Sequence, residues 1–220
     1  MATGARVDIV TDQPYVSRGG AKLERALEVF GWQVLDLRCL DVGASTGGFT
    51  DCLLARGAAS VTAMDVGYGQ LAWKLRTDPR VRVIERSNFR HADPAQNGAP
   101  YDFICIDVSF ISLTKLASQL RTFLGTDGRV VALIKPQFES GRAQVGKGGV
   151  VREPAVQAHA IESVVHAFAE AGLAATHLTY SPIKGPAGNI EFLLGAQAGA
   201  LAAALDAAGV VRAAHESLDR

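Results

Sequence analysis

The fold is decided by the stretch Cys39-Leu40-Asp41-Val42-Gly43-Ala44-Ser45-Thr46-Gly47-Gly48-Phe49-Thr50. It begins as a short apolar strand, passes through a turn of small residues and continues as a helical pattern through Leu53 and Leu54. A strand, a glycine-rich loop and a helix in this order bring a ligand to bare backbone N–H groups at the start of the helix. The stretch therefore predicts a ligand-binding loop in an α/β protein.

The spacing of the loop indicates which ligand it binds. A dinucleotide-binding loop reads G-x-G-x-x-G and receives a pyrophosphate. Here the pattern is Asp41-x-Gly43-x-x-x-Gly47-Gly48, and an acid at the strand end repels a pyrophosphate but suits a cationic amino group. The next predicted strand, residues 60–66, ends near Asp65, where an acid accepts hydrogen bonds from ribose hydroxyls. The pattern favours S-adenosylmethionine, and the alternative is a tight turn in an unrelated α/β domain.

Length and composition indicate one ordinary domain. The chain has 220 residues, 48% of them apolar, which is enough for a sizeable core. No apolar run approaches the ~20 residues of a transmembrane helix, and residues 1–15 lack the apolar core of a signal peptide. Cys39, Cys52 and Cys105 are scattered, so we expect core packing and neither a metal site nor a disulfide. We therefore expect a cytoplasmic location.

The formal net charge is zero, so a nucleic-acid partner would need basic residues clustered on one face. Three groups qualify by position. They are Arg18, Lys22 and Arg25; Arg80, Arg82, Arg86 and Arg90; and Arg142, Lys147 and Arg152. For the group between residues 80 and 90 a solvated face of alternating charges is the preferred interpretation.

Seven apolar segments alternate with helical patterns along the chain. The predicted strands are the one in the opening stretch and residues 60–66, 81–85, 101–108, 128–135, 173–180 and 190–195. Helices are predicted at residues 22–30, 49–56, 71–76, 111–124 and 154–171 and in the alanine-rich tail to about residue 215. We predict a doubly wound, Rossmann-like, mostly parallel seven-stranded sheet. No helix separates the last two strands, so they should form an antiparallel hairpin at one edge.

Four polar residues should meet where ligands bind such sheets, at the carboxyl ends of the strands. Asp107 and Lys135 each end a predicted strand, Glu191 lies in the last strand, and Lys22 begins the first helix. A lysine that closes an apolar strand is costly to bury alone and should have an acidic partner. The group is either a structural ion-pair cluster or a proton-transfer site.

Six motifs make the chain resemble the hemolysin-like (TlyA-type) ribosomal RNA 2′-O-methyltransferases, within the wider FtsJ/RrmJ-like group. The resemblance covers residues 15–195 in order. The motifs are Ser17-Arg18-Gly19-Gly20-Ala21-Lys22-Leu23, Asp41 to Thr50 of the opening stretch, Asp65-Val66-Gly67-Tyr68-Gly69-Gln70-Leu71, Asp107-Val108-Ser109-Phe110-Ile111-Ser112-Leu113, Lys135-Pro136-Gln137-Phe138-Glu139 and Gly188-Asn189-Ile190-Glu191.

The resemblance implies an S-adenosylmethionine-dependent fold and a catalytic tetrad. The tetrad falls on Lys22, Asp107, Lys135 and Glu191. It also implies cofactor contacts from Asp41, Gly43, Ala44, Ser45, Thr46, Gly47, Gly48, Phe49, Asp65, Val66, Asn88 and Asp107. The implied partner is ribosomal RNA or a ribosomal subunit, with no metal and no membrane.

One departure from the family concerns the N-terminus. Proteins of this type carry a small S4-like RNA-binding domain before the Ser17-Arg18-Gly19-Gly20 motif, and only 16 residues precede that motif here. The chain is then either shortened or a natural short form, and its independent docking on RNA is in doubt. We predict a tail or linker remnant at residues 1–16, an FtsJ-like methyltransferase domain at 17–215 and a C-terminal tail at 216–220.

The expected reaction moves a methyl group in line from a sulfonium to a ribose 2′-hydroxyl. Lys135 would act as the base or orient the hydroxyl, a role that requires burial or a nearby cation such as Lys22 to disfavour its charge. Asp107 and Glu191 would hold the lysines.

Residues 137–152 form a long glycine-rich segment that we interpret as a substrate lid. Arg142, Lys147 and Arg152 are its candidate phosphate contacts, and Arg18, before the first helix, is a further candidate substrate contact. Phe110 and Phe138 either stack on a base or pack in the core.

Three other functions compete with this one. The chain could methylate a small molecule, since its net charge is zero and the RNA-binding domain is missing. A membrane-lytic role would need a long amphipathic or spanning segment, which the sequence does not offer. A non-enzymatic cofactor-binding module is disfavoured by the four intact polar positions.

Overall fold

A computed structural model describes residues 14–219 of the chain. Seven strands form a single sheet: β1 (Arg38–Val42), β2 (Ser60–Met64), β3 (Val81–Ile84), β4 (Tyr101–Ile106), β5 (Leu124–Ile134), β6 (Leu173–Tyr180) and β7 (Phe192–Ala198). Within these described residues, seven α-helices surround it: α1 (Gly19–Phe30), α2 (Gly48–Ala55), α3 (Trp73–Arg76), α4 (Ala117–Phe123), α5 (Pro136–Glu139), α6 (Pro154–Glu170) and α7 (Ala207–Leu218).

The sheet has the strand order β3-β2-β1-β4-β5-β7-β6. Strands β1 to β5 pair in parallel, and β7 runs antiparallel between β5 and β6. The predicted mostly parallel sheet with an antiparallel hairpin at its edge is therefore confirmed. Parallel neighbours end at the same side of the sheet, and this side carries the candidate site.

Helices cover both faces of the sheet, which gives the molecule three layers. Leu27 of α1 and Leu53 of α2 belong to the core on one face, whereas Leu120, Ile161 and Val211 from α4, α6 and α7 belong to the core on the other. Both cores are built from side chains that are almost fully buried. Cys39, Cys52 and Cys105 are buried, in agreement with the predicted core packing.

Some predicted boundaries were wrong. The predicted helix over residues 111–124 divides into a 3₁₀ turn at Leu113–Lys115, whose start Ser112 caps, and the shorter helix α4. Strand β5 begins at residue 124, where Leu124 already pairs with Tyr101. Strand β7 begins at residue 192, so Glu191 precedes it.

The segment after β5 is less irregular than predicted. Pro136 stands at the first position of α5, where a proline's fixed φ favours a helix start. A second short turn, a 3₁₀ helix, follows at Arg142–Gln144. In the alanine-rich tail, α7 begins only at residue 207, where the Asp206 side chain accepts a hydrogen bond from the Gly209 N–H at 2.8 Å.

The predicted domain limits are partly outside the described residues. Residues 1–13 of the predicted N-terminal tail are not described, and neither is residue 220. Helix α7 continues to Leu218, beyond residue 215. The domain limit at residue 215 stays a prediction. Between residues 14 and 219, no helix has the length and apolarity needed to cross a bilayer.

Candidate active site

Two carboxylates, those of Asp65 and Asp107, meet at the carboxyl edge of the central strands. Val42 of β1 lies level with Met64 of β2 and Ile106 of β4. The residues that follow these strands, Asp65 and Asp107, therefore lie beside the glycine turn that follows β1.

The turn after β1 can form only with glycine at position 43. Gly43 has φ 82°, and a Cβ atom there would lie 2.2 Å from the carbonyl oxygen of Asp107. Its N–H donates to the Met64 carbonyl at 2.8 Å. The backbones after β1 and β4 thus approach as closely as bare peptide groups allow.

Two cavities open at this edge and meet at Asp107. The first, which we call the Lys22 cavity, has about 220 Å³ and is lined by Lys22, Asp41 and Thr46 among others. The second, the Asn88 cavity, has about 360 Å³ and is lined by Asp65 and Asn88 among others. Gly43, Ser45 and Asp107 line both cavities.

The two cavities together are lined by every predicted cofactor residue except Gly47. Gly47 has φ 98°, and a Cβ atom there would lie 2.3 Å from a methyl carbon of Leu75. Its role is therefore to let the loop pack against α3. Gly48 similarly allows the chain at the start of α1 to pack against α2, because a Cβ atom at position 48 would lie 2.3 Å from Ser17 Oγ.

Asp41 is a fully buried carboxylate on the wall of the Lys22 cavity. Its Oδ2 accepts a hydrogen bond from Thr50 Oγ1 at 2.7 Å, and its Oδ1 has no hydrogen-bond partner among residues 14–219. Burial raises the pKa of Asp41 to about 7, and the nearby charge of Asp107 adds to the rise. A cationic group in the cavity would supply the counter-ion that this carboxylate lacks.

Asp65 organises the loops around the Asn88 cavity. Its Oδ2 accepts from the Ser45 N–H at 2.8 Å, and its Oδ1 accepts from the Gly67 N–H at 2.6 Å. The carboxylate thus ties the glycine turn to the loop after β2. Each carboxylate oxygen has two lone pairs, so acceptor capacity remains for ligand hydroxyls.

Lys22 and Glu191 form a buried ion pair behind the Lys22 cavity. The distance from Lys22 Nζ to Glu191 Oε2 is 2.5 Å, and the two residues are 7% and 1% exposed. The glycine motif before Lys22 brings α1 against α2 and so directs this lysine over the strand ends. The N-cap residue of α1 is Arg18, and its side chain makes no capping hydrogen bond.

Lys135 and Asp107 form the second ion pair. Lys135 Nζ lies 2.6 Å from Asp107 Oδ1 and donates a hydrogen bond to Ser109 Oγ at 3.0 Å. The contact between Lys135 and Asp107 is an ion pair but not an aligned hydrogen bond, since Asp107 Oδ1 has no hydrogen-bond partner among the described residues. Both lysines therefore have the acidic partners that the sequence predicts, in two separate pairs.

Phe110 and Phe138 form an aromatic pair beside Lys135. Their ring centroids are 5.1 Å apart, and Lys135 Nζ lies 6.0 Å from the centroid of the Phe138 ring. Phe110 is 92% exposed and has φ 64°, a conformation that costs a residue with a Cβ roughly 1–2 kcal/mol. A core role for Phe110 is therefore excluded, and its face is open to a planar ligand.

The predicted phosphate contacts lie in different places. Arg18 lines the Lys22 cavity, whereas Arg142 and Lys147 lie on the segment after α5 and line neither cavity. Within residues 14–219, none of these three cations has an ion-pair partner. By contrast, Arg56, Arg76 and Arg80 are each paired with acids on the surface.

Sequence reasoning missed three polar residues of this edge. Thr50 satisfies one oxygen of Asp41, and Ser109 accepts from Lys135. Lys184 lines the Lys22 cavity from the segment between β6 and β7. Thr50 and Ser109 lie inside quoted motifs, so their signal was available, but Lys184 follows a proline turn with no recognisable pattern.

Comparison with known proteins settles the family. The sequence profile of the FtsJ-like methyltransferases matches residues 15–198. The chain belongs to the FtsJ-like methyltransferase family. It is 50% identical to the 16S/23S rRNA (cytidine-2′-O)-methyltransferase TlyA of Mycobacterium tuberculosis over 188 residues. The aligned region is 84% of this chain and 70% of that protein.

Two further relatives are similar to most of this chain. The YqxC protein of Bacillus subtilis is 54% identical over 182 residues, which are 82% of this chain and 64% of YqxC. The chain thus spans less than two thirds of the length of YqxC. A solved hemolysin-type structure from Streptococcus thermophilus superposes with a TM-score of 0.90 at 45% identity, over 94% of this chain and 77% of that one.

Proposed function

We propose that this FtsJ-like methyltransferase uses S-adenosylmethionine to methylate ribose 2′-hydroxyls of ribosomal RNA. One observation carries the proposal: the Lys135 ammonium lies 2.6 Å from Asp107 Oδ1, and Asp107 lines both the Lys22 and the Asn88 cavities. The name of the TlyA relative, an rRNA (cytidine-2′-O)-methyltransferase at 50% identity, supports the same reaction.

The residues present fit S-adenosylmethionine, whose ammonium would meet the unpartnered Oδ1 of Asp41. Ser45, Thr46 and Phe49 would surround its amino-acid part in the Lys22 cavity. In the Asn88 cavity, Asp65 would accept from the ribose hydroxyls and Asn88 would contact the base. When bound, this cofactor supplies an electrophilic methyl group.

Lys135 prepares the hydroxyl that receives the methyl group. Ser109 accepts one of the three N–H groups of the Lys135 ammonium and Asp107 lies 2.6 Å away as its counter-ion, so an N–H group remains for an oxygen of the substrate. As the base, Lys135 would take the hydroxyl proton in its neutral form; as an ammonium it would orient the hydroxyl. Asp107 fixes Lys135, and Glu191 fixes Lys22 on the other wall. General acid–base help of this kind contributes roughly 10²–10⁴-fold.

The surface around Lys135 suits a single-stranded RNA segment. The exposed face of Phe110 offers a stacking platform beside the base and hydroxyl positions, as RNA-binding proteins use for unstacked bases. Arg18, Arg142 and Lys147 supply cations for phosphates. Ribosomal RNA is a cytoplasmic substrate, so the proposal places the protein in the cytoplasm.

Methylation of ribosomal RNA by the purified chain tests the proposal. Wild-type protein and Lys135→Ala are incubated with S-adenosylmethionine and with unmodified ribosomal RNA or subunits, and nucleosides are analysed by mass spectrometry. The wild type should form a 2′-O-methyl nucleoside, and Lys135→Ala should lose this activity while calorimetry shows unchanged cofactor binding.

Two controls make the result decisive. The substrate with a 2′-deoxy group at the modified position should accept no methyl group, and free nucleosides should be poor substrates. Near-normal turnover by Lys135→Ala would refute the assigned role of this lysine. Methylation of free nucleosides in preference to RNA would instead support a small-molecule methyltransferase.

A further inference from the structure

A third cavity, which we call the His215 cavity, lies beside the active site. It has about 540 Å³ and is bounded by the backbone of residues 150–151, the first turns of α6, the segment before β7 and the end of α7. Its charged lining consists of Arg152, Lys184, His215 and Asp219. Lys184 also lines the Lys22 cavity, so the two cavities share a wall.

Asp219 already shows how this cavity holds an anion. Its Oδ1 lies 2.6 Å from Lys184 Nζ, and its Oδ2 lies 2.6 Å from His215 Nδ1. One carboxylate thus binds two nitrogen donors, as two oxygens of a phosphate would. Hydrogen bonds from Lys184 and His215 hold the pKa of Asp219 below its usual value. The carboxylate is nevertheless 48% exposed and can be replaced from solvent.

Both ring nitrogens of His215 have hydrogen-bond partners in this arrangement. Its Nε2 lies 2.9 Å from Gln157 Oε1. The orientation of the Gln157 amide is fixed, since its Nε2 donates to the Val151 carbonyl at 2.9 Å. The ring of His215 is therefore held in place from both sides.

The walls of the cavity are held by hydrogen bonds. Asn189 accepts from the Val151 N–H at 2.9 Å and donates to the Gly149 carbonyl at 2.8 Å. Gln157 is buried and connects α6 to both Val151 and His215. The donors are therefore positioned before any ligand arrives, which lowers the entropic cost of binding.

The charges of the cavity favour a second anion. Lys184 balances the charge of Asp219, and Arg152 adds a cation that has no ion pair with any residue in the described range, which leaves one positive charge in excess. An excess of positive charge beside the site of methyl transfer matches the backbone of a polyanionic substrate.

We propose that the His215 cavity binds a backbone phosphate of the RNA substrate near the methylated nucleotide, and that the Asp219 carboxylate is an internal counter-ion which this phosphate displaces. The proposal rests on the function proposed above. Lys184, His215 and Arg152 are the phosphate ligands, and Lys184 links this subsite to the Lys22 cavity.

The test compares Asp219→Asn and Lys184→Gln with a matched control, Glu170→Gln. Glu170 is an exposed acid of α6 paired with His166, so Glu170→Gln makes the same change of net charge away from the cavity. The dissociation constant of a ribosomal RNA fragment is measured for each variant over a series of salt concentrations, and thermal unfolding confirms that each variant is folded.

Asp219→Asn should tighten RNA binding several-fold more than Glu170→Gln, because no carboxylate competes with the phosphate. Lys184→Gln should weaken binding and reduce the slope of log K against log salt by about 1. Equal effects of Asp219→Asn and Glu170→Gln, or an unchanged salt slope in Lys184→Gln, would overturn the subsite while wild-type methylation of RNA continued. Failure of the wild type to bind or methylate RNA would overturn the proposed function and this subsite with it.

Discussion

Lys22 Nζ and Glu191 Oε2 lie 2.5 Å apart, although 169 positions separate the two residues in the chain. The pair joins the first helix to the edge hairpin across the top of the sheet. Removal of one partner from a buried pair leaves an uncompensated charge, which typically costs 3–5 kcal/mol, that is, on the order of a third of a domain's stability.

The Lys22–Glu191 pair should separate stability from catalysis. We expect Glu191→Ala to lower the free energy of unfolding by about 3–5 kcal/mol. The double variant Lys22→Met/Glu191→Leu should recover most of that loss, since no buried charge is left, and yet remain inactive. Urea unfolding and methylation assays measure the two effects. If the double variant keeps its activity, neither residue is part of the catalytic machinery.

Asp41 should make both stability and cofactor binding depend on pH. Its pKa is about 7 in the folded protein and lies near 3.9 in an unfolded chain. Between these values the folded state binds more protons, so this residue makes the protein more stable as pH falls from 7 to 4. Asp41→Asn should remove this contribution, measured as the difference between urea midpoints at pH 5 and pH 8.

The titration of Asp41 should also change the affinity for the cofactor. Ionised Asp41 attracts the ammonium of S-adenosylmethionine, so wild-type affinity should fall as pH drops below 7, whereas the affinity of Asp41→Asn should be low at every pH. Calorimetry at pH 6 and pH 8 checks this. A wild-type affinity that does not change with pH would contradict the proposed contact.

Phe110 should show a trade between stability and activity. Because its φ is positive, Phe110→Gly should raise stability, by up to about 1 kcal/mol, while RNA methylation falls through loss of the stacking face. Leu201→Gly is a control, since Leu201 is 93% exposed and distant in sequence from the site motifs. Thermal unfolding measures the change in stability, and methylation rates measure the change in activity. Full activity in Phe110→Gly would remove its role in substrate binding.

Gly43→Ala should abolish cofactor binding and destabilise the fold. The added Cβ would lie 2.2 Å from the carbonyl oxygen of Asp107, a backbone atom that cannot move aside cheaply, and alanine disfavours φ 82°. Gly69→Ala shares a positive φ of 70° but meets no atom within 4 Å. It therefore controls for backbone strain alone. Equal losses in the two variants would show that the close contact is unimportant.

Much of the fold could be predicted because apolar runs that end in acids or lysines are a local signal. Asp41, Asp107 and Lys135 each follow or close such a run, and parallel pairing then brings them together. The division of residues 111–124 and the late start of α7 were missed because caps by Ser112 and Asp206 decide them, and these depend on local geometry.

The part of the site that could not be predicted depends on long-range contacts. Lys184, His215 and Asp219 are unremarkable in sequence, and only the packing of α7 against the segment before β7 places them in one cavity. The assignment of Phe110 required its exposure and its φ, which no pattern of residue types contains.

Asp107 borders both the Lys22 and the Asn88 cavities, and this has a practical meaning for genetics. The loss of activity in an Asp107 variant cannot be assigned to one cavity, because the substitution changes the lining of both. Lys22 lines only the Lys22 cavity, and Asn88 lines only the Asn88 cavity. Separate variants at these two positions will therefore show which cavity a loss of activity comes from.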